Sequence, residues 1–153
     1  MKTLVQCDFD GTIAEEDVSF QLLDTFANGD WRRLLTEHRQ GRMSVGRFNT
    51  KAFTMIRDDR QTLLKLVRSK VKIRDGFHEL LAYCGRKDFY FVIVSNGLVF
   101  YIEAILRHIG IDNIDILAAK ADFTSNGVDT KYIGPKGNLL QDGFKEVYTK
   151  LFL

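Results

Sequence analysis

Thr3-Leu4-Val5-Gln6-Cys7-Asp8-Phe9-Asp10-Gly11-Thr12 is the stretch on which the fold turns. Its first seven residues predict a short β-strand, ended by the Asp10-Gly11 turn pair. Side chains two apart leave the same face of a strand, so Asp8 and Asp10 would point together. Two carboxylates held that close repel unless they share a proton or a cation. A hard divalent ion with oxygen ligands, Mg2+ foremost, would relieve the repulsion. Gly11 lets the backbone bend close to a ligand, and Thr12 adds a hydroxyl. An ordinary Asp-Gly turn with an incidental second aspartate would read the same way at this point.

Outward from that strand, residues 17 to about 72 carry helical spacing. Phe20, Leu22, Leu23 and Phe26 recur at it, and so do Trp31, Leu34 and Leu35. Gly29-Asp30 and Gly41-Arg42 break the pattern. Ser44 reads as the cap of a helix running through Phe48, Phe53 and Ile56, and a further helix covers about residues 60–70. No strand is read in this stretch, so it forms an inserted helical layer. The alternating rhythm then resumes with a helix from Asp75 or Gly76 to about Gly85. Phe89-Tyr90-Phe91-Val92-Ile93-Val94 is continuously apolar, as a central parallel strand buried on both faces requires. Ser95-Asn96-Gly97 is its turn, and a helix follows through Tyr101, Ile102 and Ile105 to Gly110. Residues 114–119 form a third strand, Asn126-Gly127 centres a hairpin between about 121 and 133, and an amphipathic helix covers about 142–153. This order predicts an α/β fold: a three-layer, Rossmann-like parallel sheet with right-handed crossovers. Its core would lie in residues 1–13 and 75–153, with residues 14–74 as the insertion. In such sheets ligands bind beyond the carboxyl ends of the strands, which points to residues 8–12 and 95–97.

The 153 residues are 45% hydrophobic and 27% charged, which suits one globular domain with a core and excludes a disordered chain. The longest apolar run, residues 89–94, is too short to span a bilayer. Met1-Lys2-Thr3-Leu4-Val5 leads into the strand without signal-peptide architecture. Cys7 and Cys84 make no secreted-type disulfide framework and read as inert thiols. A cytoplasmic protein is therefore expected, with no membrane or nucleic-acid partner. Residues 14–74 hold 13 Lys and Arg against 8 Asp and Glu, a field that would draw anionic substrates or merely solvate exposed helices. His38, His78 and His108 fall on separate helices without metal-ligand spacing and read as structural or solvent-facing.

Asp8-Phe9-Asp10-Gly11-Thr12 after an apolar strand resembles the first motif of the haloacid-dehalogenase superfamily of phosphotransferases. The resemblance implies a phosphomonoesterase acting on a small phosphorylated metabolite. Asp8 would attack phosphorus and become an aspartyl-phosphate, and Asp10 would be the general acid and base. It also implies Mg2+ on the Asp8 carboxylate and the Asp10 backbone carbonyl. Val92-Ile93-Val94-Ser95-Asn96-Gly97 resembles the second motif, in which the Ser95 hydroxyl and the Asn96 and Gly97 amides would bind phosphoryl oxygens beside Gly11 and Thr12. Lys145, in Gly143-Phe144-Lys145-Glu146, resembles the third-motif lysine, with Lys136 in Gly134-Pro135-Lys136-Gly137 as its rival.

The position of the insertion resembles the small helical cap of phosphoserine phosphatases and of the related enol-phosphate phosphatase of methionine salvage. Ile73-Arg74-Asp75-Gly76-Phe77 and Ser95-Asn96-Gly97-Leu98 with Tyr101-Ile102 look closer to the salvage type. Asp17 stands where phosphoserine phosphatases carry a substrate-reading glutamate. Only Arg47 and Lys51 stand near the place of their carboxylate-binding arginine. These departures weigh against serine phosphate. The family's fourth, acidic motif has no counterpart after Lys145, so the C-terminal strands of a typical member are expected to be missing and the first strand to be a sheet edge. A shortened phosphatase is the expectation, against a natural short form whose edge a second copy covers in a homodimer. A protein that binds a phosphate ligand without turnover is the reading from another class.

Overall fold

The computed structural model describes residues 2–153, with the elements β1 (Leu4–Cys7), α1 (Val18–Phe26), α2 (Trp31–Arg39), α3 (Val45–Phe53), α4 (Arg60–Lys70), α5 (Phe77–Arg86), β2 (Tyr90–Leu98), α6 (Val99–His108), β3 (Asp115–Thr124), β4 (Gly127–Ile133), β5 (Leu139–Leu140) and α7 (Phe144–Phe152). One sheet holds the strands in the order β1-β2-β3-β4-β5. β1 lies parallel to β2 and β2 parallel to β3, with Cys7 beside Ile93 and Ile93 beside Ile116. Val92, Ile93 and Val94 are each at most 1% exposed, so β2 is buried on both faces. Each such side chain contributes about 1.5–3 kcal/mol of burial, an upper estimate for a chain that is partly collapsed when unfolded.

The sheet is mixed, not parallel throughout. β3 continues unbroken to Thr124, and only Ser125 and Asn126 separate it from β4, which returns antiparallel. Two residues can reverse a chain but cannot make the crossover a parallel neighbour needs. Thr124 Oγ1 ties this turn by donating to the Gly127 carbonyl at 2.8 Å. β5 adds a short antiparallel edge that sequence periodicity did not indicate. At the other edge, β1 has β2 as its one strand partner among the described residues. β2 also runs through Ser95-Asn96-Gly97 to Leu98, with a break in register against β3 after Val94, where a turn was expected.

Local chemistry starts each helix of the insertion. Asp17, Asp30, Ser44 and Asp59 accept hydrogen bonds from the backbone amides three residues on, Phe20, Arg33, Arg47 and Thr62. Each such cap is worth about 1 kcal/mol. The segment leaves and rejoins the sheet through a short antiparallel stem, with Ala14 beside Ile73 and the Arg74 amide donating to the Ile13 carbonyl at 2.8 Å. Phe48, Phe53, Leu22 and Leu63 from the helices join Phe9, Ile93, Leu98 and Tyr101 in one apolar cluster.

Gly127 joins the hairpin to the helical layer. It has φ +112°, and a Cβ there would collide with the Thr54 carbonyl oxygen. Gly137 has φ +81° with open space around it. Gly127→Ala is expected to destabilise by about 1–3 kcal/mol more than Gly137→Ala in urea unfolding, because only the first adds a steric clash to the backbone strain. Equal losses would show that the hairpin tip does not bear on the helices.

Candidate active site

Phe9 organises the loop that follows β1. Its side chain is fully buried, and its carbonyl accepts from the Thr12, Ile13 and Ala14 amides at 3.0–3.1 Å. Gly11 sits at φ +72°, the left-handed region that glycine enters without a Cβ penalty, and its amide reaches the Glu16 carbonyl at 3.2 Å. The chain thereby curls around Phe9 and presents Asp8 and Asp10 to a cavity of about 230 Å³. Asp17, Ser19, Phe20, His38, Val45, Phe48, Asn49, Ser95, Asn96, Gly97 and Lys145 complete its wall. The pair of acids and the serine segment of the neighbouring strand therefore share one space at the strand ends.

Each acid has its own partner. Asp8 Oδ2 lies 3.0 Å from Lys145 Nζ, and Asp8 Oδ1 accepts from the Phe9 amide at 2.8 Å. Asp10 Oδ1 accepts from the Val18 amide at 2.8 Å, and its Oδ2 from the Tyr101 hydroxyl at 2.6 Å. Burial first, and the charge of Asp17 next, push the Asp10 carboxyl up to about 7 against the pull of those two donors. Asp17 is raised as well, chiefly by burial. Burial and the Asp10 charge hold the Tyr101 hydroxyl protonated. Lys145, at the start of α7, is the lysine that reaches Asp8, whereas Lys136 stands exposed in the turn before β5 and lines no part of this cavity.

Other expected contributors sit differently. Gly11 and Thr12 are exposed and do not line the cavity. Their carbonyls accept from the Arg74 guanidinium, at 3.2 and 2.8 Å, because the curl around Phe9 turns them outward. The Gly97 amide donates to Ser95 Oγ at 2.9 Å, so it is already engaged. Arg47 bonds Gln141 and Asp142 at the rim and is not part of the wall. Asp17 lines the cavity and caps α1 with the same carboxylate.

Besides Tyr101, sequence reasoning missed four contributors. Asn49 donates to the Asn96 carbonyl at 2.8 Å, and the Tyr132 hydroxyl donates to the same oxygen, so α3 and β4 together hold the end of β2. Ser19 contributes a buried hydroxyl 2.9 Å from that of Tyr101. His38 was read as structural or solvent-facing but lines the cavity, its ring stacked on Phe48 and its Nδ1 2.8 Å from the Met43 carbonyl. That carbonyl can only accept, so Nδ1 carries a proton. An Asn within a helical pattern gives no signal of this kind, since its partners are remote in sequence, and a His gives none because the cavity it lines is built by other elements.

The donors suit a hard cation. The resemblance implies the Asp8 carboxylate and the Asp10 backbone carbonyl as its ligands, and Asp8 lines the cavity with one protein partner on each oxygen, which leaves each oxygen a lone pair for an ion. Among the described residues no three Asp, Glu, His or Cys side chains converge to hold an ion by themselves. Mg2+ keeps most of its waters and needs only one or two carboxylates beside a substrate phosphate, so the set fits it.

A profile of haloacid dehalogenase-like hydrolases matches residues 5–142. The chain belongs to this family. Phosphatases of this superfamily generally use Mg2+. Among curated relatives, a 2-hydroxy-3-keto-5-methylthiopentenyl-1-phosphate phosphatase of Brevibacillus brevis is 29% identical over 83% of this chain and 58% of its own length. The phosphatase of the same name from Geobacillus thermodenitrificans is 31% identical over 78% of this chain and 54% of its own. This chain thus spans somewhat over half the length of these relatives. Among solved structures, a phosphoserine phosphohydrolase-like protein from Francisella tularensis superposes with a TM-score of 0.71 at 19% identity, covering 99% of this chain and 73% of that one. A substrate-bound phosphoserine phosphatase superposes at 0.65 and 14% identity, covering 86% and 64%. These superpositions speak to the fold. Among the described residues no helix is long and apolar enough to cross a membrane.

The raised Asp10 carboxyl has a thermodynamic consequence. A carboxyl that holds its proton to about pH 7 when folded, but to about 3.9 when unfolded, binds more protons in the native state, so it lowers stability as pH rises between those values. In metal-free protein, the fall in Tm from pH 5 to pH 8 is expected to be smaller in Asp10→Asn than in wild type. An unchanged fall would show that Asp10 does not titrate in this range.

Proposed function

We propose that this chain carries the catalytic centre of a phosphomonoester hydrolase that works through an aspartyl-phosphate on Asp8. The observation that carries it is Asp8 held 3.0 Å from Lys145, in one cavity with Asp10 and the Ser95 segment. A carboxylate nucleophile needs a cation to fix it and to offset the charge of an approaching phosphate, and Lys145 is placed for both. Asp8 Oδ2 would form the bond to phosphorus as the bond to the leaving oxygen breaks. Asp10, kept partly protonated by its surroundings, would give that oxygen a proton and later take one from the water that cleaves the acyl phosphate. Ser95, with the backbone of Asn96, would hold phosphoryl oxygens. When bound between the Asp8 carboxylate and the Asp10 carbonyl, Mg2+ would supply charge neutralisation beside the phosphate.

The rest of the wall fits a small metabolite with an uncharged organic part. Phe20, Val45 and Phe48 present apolar surface, while His38, Asn49 and Ser19 offer hydrogen bonds. Among the described residues Lys145 is the only lysine or arginine in the wall, so a carboxylate on the leaving group would find no second cation there. This supports a substrate of the kind named in the Brevibacillus and Geobacillus relatives over phosphoserine, with residues 14–74 as the cap that selects it. The free β1 edge is where a second copy would add a strand in a dimer.

Asp8→Asn is expected to abolish phosphate release from p-nitrophenyl phosphate in Mg2+ buffer, by at least about a thousandfold, with the far-UV circular dichroism spectrum retained. Turnover above that limit would remove Asp8 as the nucleophile. Asp10→Asn is expected to accumulate phosphoenzyme, visible as a rise of one phosphate in intact mass at low pH. No such species with a normal steady-state rate would remove Asp10 from the second step. Phosphate binding without release from any substrate would instead mean a binding protein.

A further inference from the structure

Tyr101 is the largest fully buried side chain among the described residues, yet its hydroxyl ends directly behind the cavity wall, against the lining residues Asp10 and Ser19, and has no part in the steps above. Its ring is fixed by Phe9, at a centroid distance of 6.3 Å, and by Phe100, at 5.5 Å. The hydroxyl lies 2.6 Å from Asp10 Oδ2 and 2.9 Å from Ser19 Oγ. Hydrogen counting orders this chain. The phenol has a single hydrogen and gives it to Asp10 Oδ2, so Ser19 must donate to the phenolic oxygen. The other Asp10 oxygen takes the Val18 amide. The carboxylate is therefore held from two sides, by α6 of the sheet layer and by the first turn of α1 in the helical layer.

Gly97 makes room for the contact. A Cβ at that position would collide with the Tyr101 hydroxyl and stand 2.5 Å from Asp10 Oδ2, and the glycine's φ is not in the left-handed region. Space, not backbone freedom, is what this residue supplies. Its amide is spent on Ser95 Oγ, which agrees with a role as a gap for the tyrosine.

We infer that Tyr101, oriented by Ser19, is a positioning residue for Asp10: its phenol fixes the carboxylate in the rotamer from which a proton can reach the leaving oxygen. The inference rests on the acid and base role proposed for Asp10. A free carboxylate at the end of a short side chain swings between rotamers, and proton transfer needs heavy atoms within hydrogen-bond reach. Two charge-assisted bonds from separate elements remove that freedom.

The test uses Tyr101→Phe, which keeps the ring and removes the hydroxyl, with two probes of different leaving group. An alkyl phosphate such as glycerol 2-phosphate needs its leaving oxygen protonated, whereas p-nitrophenolate departs without help. kcat/KM covers only the steps up to leaving-group departure, so it isolates the acid role. It is expected to fall about ten- to a hundredfold for the alkyl ester and less than threefold for the aryl ester, with KM within twofold for both. Equal losses on the two esters, or no loss, would overturn the inference, because a merely structural role cannot distinguish leaving groups. Should Tyr101→Phe fail to fold, Ser19→Ala leaves the tyrosine in place and removes only the donor that orients it. The same selective loss, smaller in size, is then expected, and an unselective one overturns the inference. If wild type hydrolyses neither ester, that outcome bears on the substrate and the phosphatase reading and not on the positioning. A crystal structure of Tyr101→Phe then decides the positioning: a carboxylate turned away from the Val18 amide supports it, and one that has not moved overturns it.

Discussion

Three carboxylates, Asp8, Asp10 and Asp17, line one small cavity whose only lysine or arginine among the described residues is Lys145. Such crowding is unfavourable in a half-buried place, and the surrounding structure answers it acid by acid. Asp8 meets the lysine at the start of α7. Asp10 takes one backbone amide and one buried phenol. Asp17 faces the positive end of α1, where it satisfies amides that the helix leaves free. The answers come from α1, α6 and α7 together, so the relative placement of β1, α1, α6 and α7 is tied to one electrostatic problem. What remains unbalanced is negative and oxygen-rich, which is the environment a hard cation and a phosphate would enter together.

The helical layer belongs to this arrangement as much as the sheet does. It leaves the sheet through the stem at Ala14 and Ile73, it shares the apolar cluster around Phe9 and Ile93, and Asn49 reaches from it to the end of β2. The Asn96 carbonyl, which the end of β2 would otherwise expose, is satisfied by Asn49 and Tyr132 from two sides. An unsatisfied buried carbonyl costs about 1–3 kcal/mol, so these two donors hold the serine segment in place. The layer that would select the leaving group also holds the backbone that would grip the phosphate.

Some of this was legible in the chain alone. Phe89 to Val94 carried a central strand, because only a strand between two layers tolerates apolar residues on both faces. The spacing of Asp8 and Asp10 pointed to one shared space, although β1 ends at Cys7 and the curl around Phe9, not strand alternation, brings the two acids together, and Asn126-Gly127 carried the hairpin. The mixed sheet was less legible, since residues 121–124 continue the third strand without any change of pattern and the short β5 pair is too brief to show periodicity. Tyr101 looked like one more apolar position on a helix, and His38 like a polar one. The Tyr101 hydroxyl found its partner 91 residues away, and the His38 ring faces a cavity that other elements build, neither of which a local pattern encodes.

By itself the sequence determined where the helices and the three parallel strands begin, the insertion of a helical segment between the first two strands, and the pair of acids after the first strand. These depend on periodicity, turn residues and backbone alternation, all of which act over a few neighbouring positions. Only the tertiary structure decided between Lys145 and Lys136, turned Gly11 and Thr12 away from the cavity, and gave Gly97 its use as a gap. Those outcomes depend on distances between atoms far apart along the chain, and such distances are set by how the layers pack around Phe9 and Tyr101.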